Sequence, residues 1–482
     1  MKKEALAWVV VMNIRNILLI WPYVDCDRHF MPMAFGYLKS NTDSSRFDIS
    51  IVNCTLLGWK SDDPRLKAEL IKRNPDVVGI SSRSMFFQEV LALFRLVKSV
   101  TPQTITVYGG PHATCYAEKV MTNREIDFVF RGEAELSFSL FLEQLGKPVP
   151  DFSPVAGLGY READGGLKLN QTAYAESLDT VRIPDYDAME IREYARQGLL
   201  YETPASVSLS APVMLTRGCP YRCAYCSAAI INGPVIRKHS IAYAVDWVTG
   251  LYRDKGVRWI NVIDDNFTFD DRYARDFCEA VIKQGLRDLR FGSPNGIRLE
   301  RGSKELWTLM KKAGWESLVV APESGSKRVL RLMRKKLDPD IVPGIVDEIK
   351  SAGLMVRGFF IVGYPGETIE DIKETARLIR KTRFDSLSIT QFQPLPGTPV
   401  FDDLVEKQEI EDNFLPRSYG DAEGRAYTPK ELANFDFAWF IMKENMLLKL
   451  RHPGSLSRMA NPLGKLGMII SAASKSVNRR SK

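Results

Sequence analysis

The sequence predicts an α/β protein in which two parallel sheets follow one another along the chain. Short β-branched runs alternate with amphipathic segments from Asn16 to about Leu145, and a strand–helix rhythm repeats six times from Val213 onward. Parallel strands that alternate with helices form either a sheet covered on both faces or a barrel. We therefore expect an N-terminal Rossmann-like (flavodoxin-like) sheet, a partial (β/α)6 TIM barrel and a helical C-terminal extension.

Changes in composition give the boundaries of these parts. We expect the first domain at 1–145, a linker rich in proline and glycine at 146–205, the barrel at 206–400 and the extension at 401–482. The Ala-Asp-Gly-Gly run at 163–166 predicts a small hairpin in the linker. A helix is expected over Pro429–Leu450, where its aromatic residues would cover the barrel or a substrate cavity.

The first domain carries a candidate ligand site at one edge of its sheet. Its strands are predicted at Ile17–Ile20, Phe47–Asn53, Asp76–Ile80, Ile105–Tyr108 and Phe128–Phe130. Ligands of such sheets bind beyond the carboxyl ends of the strands. Small and polar residues follow three of these ends: Ser81, Ser82, Gly109, Gly110, Gly132 and Glu133. Glycines let a backbone approach a bulky ligand and hydroxyls bond its polar edge, so a ligand site is favoured over an empty module of the same fold.

The barrel is predicted from six strand–helix units. The strands are expected at Val213–Thr216, Trp259–Ile263, Leu289–Ile297, Leu318–Ala321, Val356–Val362 and Leu387–Phe392. The helices are expected at Ile241–Tyr252, Ala274–Lys283, Lys304–Ala313, Lys327–Met333, Asp340–Ser351 and Ile369–Thr382. Barrel active sites lie at the carboxyl ends of the strands, so those loops are the candidate catalytic surface.

Three cysteines follow the first barrel strand. Cys219, Cys223 and Cys226 are spaced by four and three residues. Thiolates at this spacing can bind three irons of a [4Fe-4S] cluster and leave the fourth iron without a protein ligand. A structural zinc site that includes His239 is the alternative. Disulfides are disfavoured because the seven cysteines are an odd number and no export segment accompanies them.

The cysteine motif Cys-x-x-x-Cys-x-Tyr-Cys resembles that of the radical S-adenosylmethionine (radical SAM) superfamily. The runs Asp-Asp-Asn-Phe-Thr, Pro-Glu-Ser-Gly-Ser and Gly-Tyr-Pro-Gly-Glu-Thr extend this resemblance over about 212–400. It implies that strand ends hold S-adenosylmethionine through Tyr225, Asp264, Asp265, Arg298, Glu323, Ser324 and Gly363. Asp264 or Asp265 would bond the amino group of its methionine moiety, Arg298 the carboxylate, and Tyr225 would pack near adenine. As alternatives, Asp265 caps a helix, Arg298 pairs with Glu300, and Tyr225 is a surface aromatic.

The first domain resembles the cobalamin-binding domain that precedes many radical SAM enzymes. The resemblance rests on Asp-Val-Val-Gly-Ile-Ser, Gly-Gly-Pro-His-Ala-Thr and Asp-Phe-Val-Phe-Arg-Gly-Glu-Ala-Glu, and it implies that the small and polar strand-end residues bind cobalamin. The cobalt-ligating motif Asp-x-His-x-x-Gly of mutases has proline at the glycine position here, in the loop 27–32. His29 is therefore either a lower cobalt ligand or an ordinary loop histidine.

Together the resemblances imply reductive cleavage of S-adenosylmethionine to a 5′-deoxyadenosyl radical and methylation of an unactivated carbon in a small or lipid-like molecule. An electron donor of the flavodoxin or ferredoxin type would be needed, and no catalytic residue is assigned. A ring-forming enzyme similar to magnesium-protoporphyrin monomethyl ester cyclase and a non-catalytic corrinoid carrier or sensor are the alternatives. Methylthio transfer would need a second cluster from Cys26, Cys54 and Cys115.

Charge and hydropathy indicate where in the cell the protein is found. A net charge of +7 over 482 residues gives no footprint of nucleic-acid binding. The apolar residues 5–20 are interrupted by polar ones and are too few to span a bilayer, so we expect a cytoplasmic protein, with 1–11 as a loose extension. The last thirty residues mix apolar and basic side chains and are either a solvated tail or a peripheral contact with the inner membrane face.

Overall fold

The computed structural model describes residues 13–26, 28–416 and 427–451 of the chain. The strands of the first sheet are β1 Asn16–Trp21, β2 Asp48–Asn53, β3 Val77–Ser81, β4 Ile105–Gly109, β5 Phe128–Phe130, β6 Leu158–Arg161 and β7 Leu167–Leu169. The helices around it are α1 Met33–Asn41, α2 Cys54–Leu57, α3 Pro64–Arg73, α4 Phe87–Val100, α5 Pro111–Val120 and α6 Ser137–Leu145, and α7 Ile191–Arg196 follows.

The first sheet has the order β2-β1-β3-β4-β5-β6-β7. Its first five strands are parallel, which confirms the predicted flavodoxin-like arrangement. The hairpin expected in the linker is present, but β6 pairs antiparallel with β5 and so extends this sheet. The short edge strand β5 gains backbone hydrogen-bond partners from this addition.

Both faces of the first sheet are buried, as its apolar strands require. Leu18 and Ile20 of β1 pack into one core cluster, and Ile17 and Leu19 pack into another on the opposite face. Successive side chains of a strand point to opposite faces, so a continuous apolar run fills both cores. The edge formed by the strand ends is left for polar contacts.

The second sheet has six parallel strands in the order β15-β14-β13-β12-β11-β8. Its strands are β8 Ser210–Val213, β11 Trp259–Val262, β12 Arg290–Ile297, β13 Trp315–Glu323, β14 Met355–Val362 and β15 Ser386–Gln391, while β9 Thr216–Arg217 pairs with β10 Arg237–Lys238 outside it. The helices are α8 Ala228–Ile231, α9 Ile241–Arg253, α10 Asp271–Lys283, α11 Lys304–Lys312, α12 Lys327–Leu332, α13 Val342–Ser351, α14 Ile369–Lys381, α15 Pro399–Glu406 and α16 Phe437–Arg451. The first and last strands, β8 and β15, do not pair, so the predicted partial barrel is confirmed.

The first barrel strand begins and ends earlier than the sequence suggests. It was expected at Val213–Thr216 and is found at Ser210–Val213. The chain leaves the sheet after Val213 because the N–H groups of Leu215 and Thr216 donate to the carboxylate of Asp264 instead of to a neighbouring strand. The departing segment becomes β9, which leads directly into the cysteine loop.

The linker contacts both domains. The hydroxyl of Tyr194 accepts a hydrogen bond from Asn53 Nδ2 of the first domain at 3.0 Å. Tyr186 donates its hydroxyl hydrogen to the carbonyl oxygen of Pro212 in β8 at 2.6 Å. Both tyrosines are buried, so the linker is a packed layer between the domains rather than a loose connection.

The extension covers the last barrel strand. The helix expected from Pro429 begins only at Phe437, because the chain first makes a 3₁₀ turn over Lys430–Leu432. The buried Glu444 of α16 accepts from Arg380 Nε of α14 at 3.0 Å, which fixes the helix on the barrel. No helix in the described ranges is long and apolar enough to cross a bilayer. The basic tail after 451 and the extension 1–11 lie outside the described residues.

Candidate functional site

The cysteine loop joins β9 to α8. Its first residue, Gly218, has φ of +98° and a Cβ there would lie 2.2 Å from the carbonyl oxygen of Val235. Only glycine fits such a position. The N–H of Cys219 then donates to the carbonyl oxygen of Gly233 at 3.0 Å, which turns the loop back over β10.

The three thiols of the loop lie close enough to affect one another. Burial, reinforced by the neighbouring Cys223 and Cys219, raises the pKa of the Cys226 thiol to about 12. Burial also raises the pKa of Cys219. Thiols in this environment stay protonated at neutral pH unless a metal displaces their protons.

A single-ion site does not fit these residues. In the described part of the chain, no three His, Cys, Asp or Glu side chains converge to hold one metal ion. His239, the alternative zinc ligand, instead directs Nδ1 to Asp179 at 3.0 Å. A cubane cluster needs each thiolate on a separate iron, so three neighbouring thiols without an imidazole suit a cluster better than zinc.

Two aspartates at the end of β11 support the loop. Asp264, 1 % exposed, accepts from the N–H groups of Leu215 at 2.7 Å and Thr216 at 2.9 Å and from the Thr216 hydroxyl at 2.8 Å. Burial raises the pKa of Asp264 to about 8. Asp265 accepts from Asn232 Nδ2 at 2.9 Å and from the Gly218 N–H at 3.3 Å. The expectation that Asp264 bonds an amino group is corrected, because both of its oxygens are engaged by the chain.

Arg298 is held beside the cysteine loop, but not all of its hydrogen-bond donors are used. Its guanidinium carbon lies 3.8 Å from the centre of the Tyr221 ring, and Nη2 donates to Glu300 Oε1 at 2.7 Å and to the carbonyl oxygen of Lys336 at 2.8 Å. The pairing with Glu300 that the sequence left open is therefore present. The buried Nε has no partner in the described residues and remains able to donate.

Tyr225 belongs to a polar triad at the end of β13. Its hydroxyl donates to Glu323 Oε1 at 2.8 Å, and Lys335 Nζ donates to the same oxygen at 3.1 Å. Glu323 has φ of +66°, a left-handed conformation that is unfavourable for a non-glycine residue and is typical of functional positions. Lys335 was missed, because in Arg-Lys-Lys at 334–336 it resembles a solvated basic run.

Two further strand-end residues serve packing. The hydroxyl of Ser324 contacts Thr375 Oγ1 at 3.1 Å and accepts from the Ser326 N–H at 3.1 Å in a fully buried position. This corrects the expectation that Ser324 contacts a ligand. Gly363 has φ of +81°, and a Cβ there would lie 2.9 Å from the Phe437 ring of α16. The extension helix therefore also requires this glycine.

Glu367 gives a pH-dependence prediction. Its Oε2 accepts from the N–H groups of Gly363 and Tyr364, and its buried Oε1 has no partner in the described residues. Burial raises the pKa of Glu367 to about 7. A carboxyl with a raised folded-state pKa stabilises fully below its usual pKa near 4.5 and loses that contribution as pH rises towards 7. Wild type should therefore lose unfolding free energy as the pH rises from 5 to 8, and Glu367→Gln should not. The difference between variant and wild type should shift in favour of the variant by on the order of 3 kcal/mol.

Denaturant unfolding of both proteins at the two pH values measures this difference. The matched control is Glu370→Gln three residues further on, in α14, whose side chain is 75 % exposed and which should show no such gain. A pH-independent difference between Glu367→Gln and wild type would contradict the raised pKa.

The strand-end glycines and serines of the first domain lie at one edge. Ser81 of β3 is in register with Gly109 of β4. Gly110 has φ of +91°, and a Cβ there would lie 2.5 Å from Ser81 Oγ, whereas a Cβ on Gly109 would meet nothing within 4 Å. Ser82 Oγ lies 2.7 Å from the Tyr108 hydroxyl. The edge is thus tightly packed beneath Gly110 and open at Gly109.

A buried histidine lies next to this edge. His112 Nδ1 lies 2.9 Å from Ser84 Oγ, and its Nε2 has no partner in the described residues. Burial lowers the pKa of His112 to about 4, so the ring is neutral at physiological pH. On the other side, the Gly132 N–H donates to Thr114 Oγ1 at 3.0 Å.

The carboxylate of Glu133 is engaged by arginine side chains and is not left free to bind a ligand at this edge. It accepts from Arg237 Nη1 at 2.8 Å and Nη2 at 2.5 Å, while Arg217 Nη1 donates to Glu135 at 2.7 Å and lies 3.4 Å from Glu133. The Arg217 guanidinium also lies 4.8 Å from the Tyr37 ring centre. We call Arg217, Arg237, Glu133 and Glu135 the interdomain ion network, because it joins the first domain to the strands that flank the cysteine loop.

Sequence reasoning assigned Glu133 to cobalamin and missed the other three members of the network. The signals were present, since two carboxylates follow β5 and one arginine directly precedes Gly218. However, the partners are 82 and 104 residues apart. No local pattern pairs residues at that separation.

His29, Cys54 and Cys115, for which the sequence left a metal-binding role open, lie in different parts of the first domain. The His29 ring stacks on Tyr201, with centroids 4.7 Å apart and planes 3° apart. Cys54 is fully buried at the start of α2, and Cys115 in α5 packs against Gly397, whose Cβ would lie 3.0 Å from the Cys115 carbonyl oxygen. Cys54 and Cys115 therefore lie in two different helices of the first domain.

Family models and known proteins match both domains of the chain. The model of the B12 binding domain matches residues 33–142, and that of the Radical SAM superfamily matches residues 213–379. An uncharacterized methyltransferase of Pyrococcus horikoshii is 29% identical over 401 residues, which cover 81% of this chain and 83% of that protein. Cytidylyl-2-hydroxyethylphosphonate methyltransferase of Streptomyces wedmorensis is 27% identical over 444 residues, 82% of each chain.

A solved structure has the same fold. The radical S-adenosylmethionine methyltransferase TsrM from Kitasatospora setae superposes with a TM-score of 0.68 at 15% identity, over 87% of this chain and 84% of that one. The predicted resemblance, made from the cysteine motif and the strand-end glycines, is confirmed by these matches. The chain therefore carries a domain of the Radical SAM superfamily over residues 213–379 and, in front of it, a B12 binding domain over residues 33–142.

Proposed function

We propose that this chain is a cobalamin-dependent radical SAM methyltransferase that methylates a carbon atom of a small molecule. One observation carries the proposal: buried ion pairs join Arg217, which directly precedes the cysteine loop, to Glu133 and Glu135, which follow β5 of the B12-binding domain. Such an arrangement brings two candidate cofactor sites onto facing surfaces. The methyltransferases among the relatives support transfer of a methyl group.

The proposed cluster ligands are Cys219, Cys223 and Cys226. The donor set fits a [4Fe-4S] cluster because the loop offers three cysteine thiols that form no disulfide. Asp264 and Asp265 act as positioning residues, since they fix the backbone on the two sides of Gly218. Their hydrogen bonds keep the loop in shape before any metal binds.

For cobalamin, we propose the edge formed by Ser81, Ser82, Gly109, Gly110 and Gly132. The open space beside Gly109 allows the backbone to approach a bulky ligand. The buried Nε2 of the neutral His112 lies next to this edge with an unused hydrogen-bonding capacity. Glu133 is removed from the predicted set because the interdomain ion network already engages both of its oxygens.

For S-adenosylmethionine, we propose Tyr225, Asp265, Arg298, Glu323 and Gly363. Arg298 retains a free buried N–H for a carboxylate, and Glu323 presents a carboxylate in a strained backbone conformation. Lys335 orients that carboxylate through its own ion pair and is added as a positioning residue. Tyr225 belongs both to this triad and to the cysteine loop, and its flat ring connects the two.

When bound, these three groups supply reductive cleavage of S-adenosylmethionine and a transferable methyl group. The protein contributes binding, orientation and exclusion of water. The buried walls around Tyr225, with Tyr364 and Phe392 in the same apolar cluster, keep water from the strand ends. An external one-electron donor of the flavodoxin or ferredoxin type completes the proposed reaction.

The proposal predicts methyl transfer from S-adenosylmethionine. Anaerobically reconstituted protein with cobalamin and dithionite should form 5′-deoxyadenosine slowly even without substrate, because the cleavage site is complete in the chain. With an extract of small metabolites and S-adenosylmethionine deuterated in its methyl group, one product should carry three deuteriums on a carbon. Mass spectrometry of the product mixture is the measurement.

Three other outcomes distinguish the alternatives. A product that has lost two hydrogens and contains no deuterium would indicate a ring-forming enzyme. Bound corrinoid without any 5′-deoxyadenosine would indicate a carrier or sensor. If the only labelled material is a lipid, the target is lipid-like rather than a small soluble molecule.

A further inference from the structure

A cavity of about 90 Å³ lies between the two domains. The first domain contributes Phe30 and Met33, the linker contributes Tyr201, and the barrel contributes Pro212 and Asn261 of β8 and β11. No Asp, Glu, Lys or Arg side chain lines it. Any substrate that reaches both proposed cofactor sites has to lie between the domains that carry them, and this cavity is walled by both.

One wall of the cavity is made of rings. Tyr201 stacks on His29, and the centroids of Phe30 and Tyr201 are 4.9 Å apart. Outside the cavity, the Arg83 guanidinium lies 4.6 Å from the Phe30 ring centre. Aromatic faces favour flat, unsaturated partners through offset or edge-to-face contact.

The ring wall is fixed in place by the barrel. Asn261 Nδ2 donates to the carbonyl oxygen of Tyr201 at 2.6 Å. The next residue, Glu202, has φ of +45° and pairs with Arg357 of β14 at 2.5 Å. A left-handed glutamate is retained only where its surroundings determine it, so the loop that presents Tyr201 is preorganised.

The side-chain amide nitrogens of the lining are already bonded to protein. Asn261 Oδ1 accepts from Trp259 Nε1 at 2.9 Å, so its amide donates to and accepts from the chain. Asn295 Nδ2 donates to the carbonyl oxygen of Ile263 at 2.5 Å. The lining offers no Asp, Glu, Lys or Arg side chain to pair with a charged group, so burial of such a group in this cavity is unfavourable.

We propose that this cavity binds an uncharged, flat group of the substrate, no larger than a single unsaturated ring, and that Tyr201 selects for it. This inference rests on the proposed function and names the class of substrate. A cavity of about 150 Å³ admits benzene, so the smaller volume here excludes larger ring systems, while the flexible Met31 and Met33 allow a single ring to fit. The remainder of the substrate would lie outside it.

Binding of three small probes to the anaerobic holoprotein tests the proposal. Phenol is flat and uncharged, benzoate is flat and charged, and cyclohexanol is uncharged but not flat. In equilibrium dialysis, phenol should bind at least tenfold more tightly than either of the others. Equal binding of phenol and benzoate, or of phenol and cyclohexanol, would overturn the assignment.

Variants locate the site. Met33→Trp fills the cavity and Tyr201→Leu removes the ring wall, so each should weaken phenol binding at least tenfold. Iron and cobalamin content report whether each variant is folded. Trp439→Leu is the matched control. Trp439 belongs to α16 and lines a separate groove, so this variant should leave phenol binding unchanged. Loss of phenol binding in Trp439→Leu alone would place the probe in that groove and refute the proposal.

Different results would overturn the proposed function and the assignment of the cavity. If wild-type protein binds phenol as expected but forms no 5′-deoxyadenosine, the proposed function is wrong and the cavity assignment loses its basis as a substrate site. If 5′-deoxyadenosine forms but phenol does not bind, only the inference about the substrate is overturned.

Discussion

Replacing any one of Cys219, Cys223 and Cys226 with alanine is expected to reduce bound iron and 5′-deoxyadenosine formation to the level of a protein-free control. Each thiolate of a three-ligand loop holds a different iron, so two cannot compensate for a third. Burial raises the pKa values of the Cys219 and Cys226 thiols, which therefore ionise only as metal displaces their protons. Iron and sulfide analysis with product chromatography measures the effect.

The chain offers a matched control for this experiment. Cys278 is a buried cysteine in α10 that packs in the barrel core, away from the strand-end loops. Cys278→Ala removes one thiol and only a small volume, so iron content and product formation should stay near wild type. Retention of iron by the Cys223→Ala variant would refute the cluster assignment, on which the proposed function depends.

Glu133→Gln is expected to lower the free energy of unfolding of the cobalamin-free protein by about 3–5 kcal/mol. Glu133 bridges Arg237 and Arg217, and all three side chains are at most 10 % exposed. Removing the charge of Glu133 leaves the desolvated Arg237 without its carboxylate, whereas Arg217 keeps its ion pair with Glu135. Denaturant unfolding of protein without cobalamin measures this loss, and domain separation by limited proteolysis should accompany it.

A surface pair of the same domain provides the comparison. Arg46 and Glu143 form an ion pair at 2.7 Å with side chains 52 % and 37 % exposed. Glu143→Gln should change stability by less than about 1 kcal/mol. If Glu133→Gln left the stability unchanged but weakened cobalamin binding, the original prediction that Glu133 contacts cobalamin would replace the network assignment.

The reasoning from the sequence was most successful where the pattern is local. Strand β5 was predicted residue for residue, and most barrel strands were predicted to within a few residues. Alternating apolar runs bury both faces of a parallel sheet regardless of what lies far away in the chain. Strand β8 and helix α16 were misplaced where a distant carboxylate or a short 3₁₀ turn changed the hydrogen bonding.

By itself, the sequence determined the two parallel sheets, the three-cysteine loop and the strand-end positions of the candidate residues, because spacing and periodicity are properties of neighbouring residues. Only the tertiary structure decided what those residues contact. Asp264 supports the cysteine loop, Glu133 joins two domains, and Tyr201 closes a cavity with His29. Each of these contacts joins residues at least 48 positions apart, and such contacts depend on how the sheets pack, which no local pattern specifies.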